Sequence, residues 1–270
     1  MRIVEKDGIK VLKFEELEKY PSIEHCITTR IGGVSEGPYE SLNMGLLTEE
    51  DQVEPTRENF RRVTSSFFGK TNDDVVRSDQ VHGIKIQKVT SEDRGKGLMR
   101  ERDFEEVDGF VTDEPGIILA TAYADCTPLL FYDPEKQVIA SVHSGWKGTL
   151  QRIGKEAVRI MNEDYGCSKD DIIAGIGPTI GPDRFEVGEE VYVQFRDEFE
   201  RMDKILSGKK GDKYYLNLWE ANREILEEAG LNPKNILIDD HCTYKNEDMF
   251  FSHRRDKGLT GRMAALIMLK

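Results

Sequence analysis

Apolar and polar positions divide the chain into short blocks whose period changes along its length. Two apolar runs, Leu129 to Tyr132 and Val138 to Val142, flank the polar stretch DPEKQ. Its Asp-Pro start is a turn signal, so the pair predicts an antiparallel hairpin. Before it, Lys10 to Phe14 and Cys26 to Thr29 predict two strands around Pro21, and Phe60, Val63 and Phe67 predict an amphipathic helix within Val53 to Phe68. Ile84 and Ile86 alternate with polar residues in Ser78 to Val89, a half-buried strand entered through Gly83. Asp108 and Gly109 open a strand over Phe110 and Val111 that leads through Pro115-Gly116 into Ile117 to Thr121.

Beyond the hairpin, Leu150, Ile153, Ala157 and Ile160 predict a helix capped by Thr149. Strands over Ile172 to Ile176 and Asn235 to Ile238 enclose two more helices, one carrying Val187, Val191, Phe195 and Phe199, the other over Leu218 to Ala229. An apolar strand closes the chain. This mixed order predicts an α/β or α+β fold, and a single domain over residues 1–270. Two segments carry no regular period. Thr28 to Gly45 is rich in Gly, Ser and Asn and reads as a long loop able to contact a ligand, or as a mobile surface loop. Ser91 to Glu106 is charged and poor in apolar residues, an exposed or flexible excursion to which no chemistry is assigned.

Charge then narrows the function classes. Lys and Arg total 38 against 51 Asp and Glu, a formal charge of -13, which disfavours gripping the phosphate backbone of nucleic acid. No apolar run approaches the roughly eighteen residues that span a membrane. The N-terminus lacks the apolar core of a secretory signal, so a cytoplasmic protein is expected. Its four cysteines, Cys26, Cys126, Cys167 and Cys242, are then not expected to pair. Nothing in the pattern specifies an oligomeric state.

The hairpin also places candidate chemistry. Cys126 lies just before its first strand and His143 just after its second, so the turn brings a thiol and an imidazole, both zinc ligands, to one end. After His143, Ser144 to Gly148 form a glycine-bearing loop into a helix start, where Lys147 could meet an anion. The alternative is a surface loop with a buried Trp146. His82 sits at the mouth of its strand, where an isolated histidine is more often structural. His25 and Cys26 are neighbours in an extended strand and face opposite sides. Near the C-terminus, Arg254, Arg255 and Arg262 could bring cations to an anionic substrate or solvate the surface.

Taken together, TTRIGGVSEGPYESLNMG, DQVHG, ADCTPLLFYD, VHSGWKGT, GIGPTIG and SHRRDKGLTGR occur in an order that strongly resembles the YfiH/YlmD family. This is the laccase-domain family, once labelled multicopper polyphenol oxidase and now described as zinc-dependent purine nucleoside phosphorylases. The resemblance covers essentially the whole chain. It implies a four-layer α/β/β/α sandwich with mixed sheets and a zinc ion (Zn2+) held by His82, Cys126 and His143, which leaves one tetrahedral position for water or substrate. It also implies phosphorolysis of adenosine, inosine, guanosine or 5'-methylthioadenosine to base and pentose 1-phosphate, with adenosine deaminase activity beside it.

On that basis Asp125 is expected to act as acid or base or to fix a ligand, and Ser41, Asn43, Lys147, Arg254 and Arg255 to hold phosphate or ribose. Where family members often read HAGWRG, this chain has Ser144 and Lys147, which keeps the charge and loses the arginine fork. Two rival readings remain: a metal-free cysteine hydrolase using Cys126 and His143, and a catalytically silent metal-binding interaction protein. The older copper label fails on arithmetic, because five histidines cannot supply both a mononuclear and a trinuclear copper centre.

Overall fold

In the computed structural model of the chain, residues 1–45 and 53–270 are described. The chain runs through β1 (Arg2–Lys6), β2 (Ile9–Lys13), β3 (Ile23–Thr28), α1 (Val53–Val63), β4 (Val75–Arg77), β5 (Ile86–Lys88), β6 (Gly109–Thr112), β7 (Ile118–Tyr123), β8 (Thr127–Asp133) and β9 (Val138–Ser144). Next come α2 (Trp146–Leu150), α3 (Ile153–Tyr165), β10 (Ile173–Ile176), β11 (Glu186–Val187), α4 (Glu189–Glu198) and α5 (Met202–Ile205). The last elements are β12 (Leu206–Lys210), β13 (Lys213–Leu216), α6 (Leu218–Glu228), β14 (Ile236–Ile238) and β15 (Met263–Leu269).

Two six-stranded sheets result, ordered β1-β2-β3-β15-β7-β4 and β14-β10-β8-β9-β6-β5, beside a small sheet β11-β13-β12. Both large sheets are mixed: β4 runs parallel to β7, β5 to β6 and β10 to β14, and the remaining pairs are antiparallel. The alternation of side chains along each strand explains the layering. In β15, Ala265 and Ile267 point between the sheets to share a core with Leu130, Tyr132 and Ile139 of the second sheet. Their neighbours Ala264 and Leu266 point outward beneath Phe60 and Val63 of α1. In the second sheet Leu129 and Phe131 point outward against Ile153 and Ala157 of α3 and Leu226 of α6. Strands buried on both faces therefore read as continuous apolar runs, and the four layers are helix, sheet, sheet, helix, as expected. Among the described residues no helix is long and apolar enough to cross a membrane.

The predicted hairpin is β8–β9. Asp133 closes its turn by accepting the backbone N–H groups of Glu135 and Lys136, each at 2.9 Å. The register pairs Pro128 with His143 and Thr127 with Ser144, so Cys126 arrives beside the end of β9.

Four local expectations need correcting. Thr149 does not cap a helix: α2 starts earlier, after Gly145 in extended backbone, and Thr149 lies inside it with its hydroxyl donating to the Gly145 carbonyl at 2.9 Å. A left-handed Arg152 (φ 62°) then separates α2 from α3. The strand around Ile84 is confined to Ile86–Lys88, because the N–H groups of residues 81 to 83 are taken by a carboxylate described below. Val187 belongs to β11 and Phe199 ends α4, so that helix is shorter at both ends than its apolar spacing predicts. The excursion from Ser91 to Glu106 is pinned to the fold: Leu98 and Phe104 are buried, and Gly95 donates to the Val75 carbonyl at 2.9 Å.

Candidate metal centre and substrate cavity

His82, Cys126 and His143 come together with their ligand atoms all within 4.8 Å of one another. Cys126 follows Asp125, whose left-handed backbone (φ 81°) turns the chain between β7 and β8. His143 stands near the end of β9. His82 also has left-handed backbone (φ 64°), uncommon for a non-glycine residue, and a specific contact supports it there.

That support is the Asp108 carboxylate, wholly buried at the start of β6. It accepts the N–H groups of Val81 at 3.1 Å, His82 at 3.0 Å and Gly83 at 2.8 Å, which curls residues 81 to 83 into an anion-binding nest. The same carboxylate lies 2.8 Å from His143 Nδ1. It thereby fixes the proton on Nδ1 and turns Nε2 towards Cys126. One residue thus orients both imidazoles. Gly145 completes the fit, because a Cβ built there would lie 2.3 Å from His82 Cδ2.

The electrostatics favour a charged, ligating sulfur. Burial opposes ionisation of Cys126, but the charge of His143 and the hydrogen bonds of both histidines outweigh it and bring the thiol down to about 6. Burial likewise opposes the His143 imidazolium, and the Cys126 thiolate and Asp108 outweigh it, holding the pKa above the ordinary histidine value. Burial opposes charge on Asp108 too, yet His143 and the backbone donors keep its carboxyl below the usual range.

These residues fit a zinc ion on distance and chemistry. Tetrahedral zinc with sulfur at about 2.3 Å and nitrogen at about 2.0–2.1 Å separates those two donors by about 3.6 Å. Cys126 Sγ and His82 Nε2 stand 3.6 Å apart. Two imidazoles and a thiolate form a set zinc accepts with one position left open.

The three side chains face a cavity of about 680 Å³, in the range of small-molecule sites. Trp146, Ile180, Phe185 and Leu218 give it an apolar side, and Arg77, Arg102, Arg254 and Arg262 line it with positive charge. Trp146 is half-buried on this wall, not buried beneath a surface loop.

Of the remaining expected site residues, Asp125 and Arg254 reach the cavity. The Asp125 carboxylate is already engaged: it accepts from Thr243 Oγ1 at 2.6 Å, Ser252 Oγ at 3.0 Å and the Arg254 N–H at 2.7 Å. That arrangement favours fixing the neighbouring ligand over moving a proton. Arg254 donates to the Glu186 carbonyl at 2.8 Å. Arg255 turns inward instead, donating to the carbonyls of Thr243, Tyr244 and Phe250 and pairing with Asp256, so it ties loops together away from the wall.

Ser41 folds its own loop, donating to the Arg30 carbonyl and accepting from Gly32 and Gly33. Asn43 is buried and acts at one remove: its Oδ1 accepts the N–H groups of Gly45 and Arg262, two residues of the cavity wall, each at 2.9 Å. Lys147 is exposed and sits 5.6 Å over the Trp146 ring, off the wall. Sequence reasoning missed Asp108, Gly145, Arg77 and Arg102 as site residues. Asp108 gave only a strand-start signal, and both arginines lie outside the recognisable motifs.

Comparison with known proteins adds the following. A profile of the family described as multi-copper polyphenol oxidoreductase laccase matches residues 24–270. The chain is 38% identical over 244 residues to the purine nucleoside phosphorylase YlmD of Bacillus subtilis, which covers 90% of this chain and 87% of that protein. It is 40% identical over 262 residues to the purine nucleoside phosphorylase of Deinococcus radiodurans, covering 97% and 94%. Its fold matches the hypothetical protein YfiH of Bacillus licheniformis with a TM-score of 0.91 at 36% identity, covering 98% and 97% of the two chains. YlmD from Geobacillus stearothermophilus matches at 0.89 and 35% identity, covering 99% and 98%.

Proposed function

The chain belongs to the multi-copper polyphenol oxidoreductase laccase family, and from that premise we propose that it is a zinc-dependent purine nucleoside phosphorylase. One observation carries this reading: the His82, Cys126 and His143 set opens into a cavity that is apolar on one side and lined by four arginines. A purine needs the apolar side, and phosphate needs the cations. Adenosine, inosine, guanosine and 5'-methylthioadenosine are the candidate substrates, and relatives named purine nucleoside phosphorylase support the class.

Each part of the cavity has a task in exchanging the C1'–N9 bond of a nucleoside for a C1'–O bond to phosphate. Trp146 and Phe185 offer aromatic surface to the purine, and their enclosure excludes the water that would otherwise compete with phosphate at C1'. The arginines hold the phosphate mono- or dianion against the ribose and so convert a bimolecular encounter into a positioned one. Zinc, when bound, supplies a Lewis acid beside the substrate. Asp108 keeps the proton on His143 Nδ1, and Asp125 keeps the Cys126 turn and the Arg254 backbone in register.

A metal-free cysteine hydrolase built on Cys126 and His143 would leave His82 without a task, although it sits in contact with the sulfur. The copper reading fares no better. His25 is buried and accepts the Phe14 N–H, His241 is bonded to Asp239, and His253, on the cavity wall, is not among the clustered ligand atoms, so none of the three joins the set.

The test incubates the purified protein with adenosine or inosine, with and without phosphate, and follows free base, ribose 1-phosphate and any deaminated product by chromatography. Metal content is measured in parallel. The expected result is phosphate-dependent base release that is lost in His82→Ala and after chelation. Adenosine deamination, which the open coordination position also permits, appears in the same assay as inosine. Turnover that survives complete removal of metal returns the cysteine hydrolase, and bound zinc without any turnover of the four nucleosides returns the binding protein.

A further inference from the structure

Arg77 is out of keeping with the rest of the chain's cations. It ends β4 and lines the cavity, yet its Nε is buried with no hydrogen-bond partner, and its guanidinium makes no ion pair among the described residues. The other three wall arginines are committed. Arg254 and Arg262 donate to backbone carbonyls, and Arg102 pairs with Asp79 at 2.7 Å. Arg77 is half-buried, and a guanidinium whose buried Nε has no partner favours an anion that can meet it from the cavity. Burial, reinforced by the like charge of Arg102 and only partly relieved by Asp79, brings Arg77 down to about 10.

The fold builds this arrangement deliberately into two segments. The Arg77 N–H donates to the Lys96 carbonyl at 3.0 Å, so the excursion lies directly on the end of β4. Gly97 makes that approach possible, since a Cβ there would fall 2.3 Å from the Arg77 carbonyl oxygen. The same excursion then delivers Arg102 to the wall, and Asp79 pairs with Val107 in an isolated bridge that closes it. Arg102 thus holds the Asp79 carboxylate, which leaves the Arg77 charge facing the cavity.

We propose that Arg77, with Arg102 beside it, is the subsite that takes the phosphoryl anion, and that the anion it takes is inorganic phosphate. That the phosphate is a co-substrate rests on the phosphorolytic reading; the anion site itself does not. A planar guanidinium with free N–H groups suits two phosphate oxygens at once. Arg102 adds charge and keeps Asp79 from neutralising Arg77.

The test uses Arg77→Met and Arg102→Met in the full chain, each checked for an unchanged circular dichroism spectrum. Phosphate binding is measured directly by calorimetry, and KM is measured separately for phosphate and for nucleoside. A charged hydrogen-bond pair sets the scale, so Arg77→Met is expected to weaken phosphate binding and raise its KM by roughly tenfold or more, with the nucleoside KM within about twofold. Arg102→Met, on an exposed side chain that does not threaten folding, is expected to raise the phosphate KM by a smaller factor of about three.

Phosphate-dependent turnover with an unchanged phosphate KM in both variants overturns the subsite and leaves the phosphorylase standing. Phosphate binding that needs Arg77 in a protein that turns over no nucleoside keeps the anion site and sinks the phosphorylase reading. Weakened binding of a nucleoside 5'-monophosphate with unchanged binding of free phosphate shows that the subsite reads an esterified phosphoryl group, and overturns the assignment to inorganic phosphate.

Discussion

Replacing Asp108 by Asn removes one charge and almost no volume, which isolates what the carboxylate does. In the native protein its two oxygens accept four donors, the N–H groups of Val81, His82 and Gly83 and the Nδ1 proton of His143. An amide has one acceptor oxygen, and its NH2 would face at least one of those donors. Two of the four bonds are therefore lost at a wholly buried side chain. At roughly 1.5–3 kcal/mol for each bond to a charged group, the variant is expected to lose about 3–6 kcal/mol of stability. For a chain of this length that is a fall of about 5–11 °C in Tm. Because the same bonds aim His82 and His143, zinc affinity is expected to fall roughly 10- to 100-fold. Thermal unfolding of the metal-free protein measures the first effect, and competition against a chelator of known affinity measures the second. Wild-type zinc affinity in a variant with the expected loss of stability would refute the reasoning that Asp108 orients the ligands. An unchanged Tm would refute the hydrogen-bond count.

Two other perturbations probe separate parts of the structure. Gly145→Ala drives a methyl group into His82 Cδ2, so zinc affinity is expected to drop about tenfold or more while the metal-free protein loses no more than about 2 kcal/mol; metal titration and unfolding check both, and undiminished affinity contradicts the packing argument. His25 is buried, accepts the Phe14 N–H at 2.9 Å, and is lowered to about 3, foremost by burial and then by Lys13 and Lys270. Below about pH 6.5 the unfolded chain binds a proton that the folded one refuses, so stability falls by about 1.4 kcal/mol per pH unit on this account alone, or about 2–3 kcal/mol between pH 6.5 and 4.5. His25→Gln removes that contribution and is expected to flatten the stability curve by that amount relative to wild type; identical slopes in urea unfolding at the two pH values would show that His25 is protonated in the fold.

The parts of the fold that were legible are those set by local pattern. Apolar runs around Asp133-Pro134 predict a hairpin because a turn and two strands are local, and the antiparallel register then follows, with Cys126 beside His143. His82 was different. By itself it read as a strand-end histidine, and only the family resemblance gave it a ligand's role. Its position depends on Asp108, which is 26 residues away and makes its bonds through backbone N–H groups that no side-chain pattern records. The excursion from Ser91 to Glu106 was misread for a related reason. Its average composition is that of a solvated segment, yet the two buried anchors Leu98 and Phe104 suffice to fix it, and fixing it is what brings Arg102 to the cavity. Arg254 and Arg255 show the limit of reading charge from sequence. They are neighbours with the same side chain, but one lines the cavity and the other spends its guanidinium on three backbone carbonyls.

The site is shaped by buried carboxylates more than by the hydrophobic pattern that shapes the sheets. Asp108 and Asp125 lie on different strand ends, one holding His82 and His143, the other adjoining Cys126. Each gathers donors from segments far apart in sequence, and each supports a non-glycine residue with positive φ, His82 in one case and Asp125 itself in the other. Such a backbone costs of order 1–2 kcal/mol per residue. Three hydrogen bonds to a charged acceptor, at roughly 1.5–3 kcal/mol each, exceed that cost and still leave a surplus against desolvation of the carboxylate. The balance also fixes geometry. A thiol and two imidazoles held by packing alone could relax by an ångström when the cavity fills, whereas His82, tied to Asp108 through its backbone, and His143, tied to it through Nδ1, cannot move without breaking bonds to a buried charge. The metal set is therefore preorganised before any ion or substrate arrives, and the unpaired charge of Arg77 is the part of the cavity left to respond to what binds.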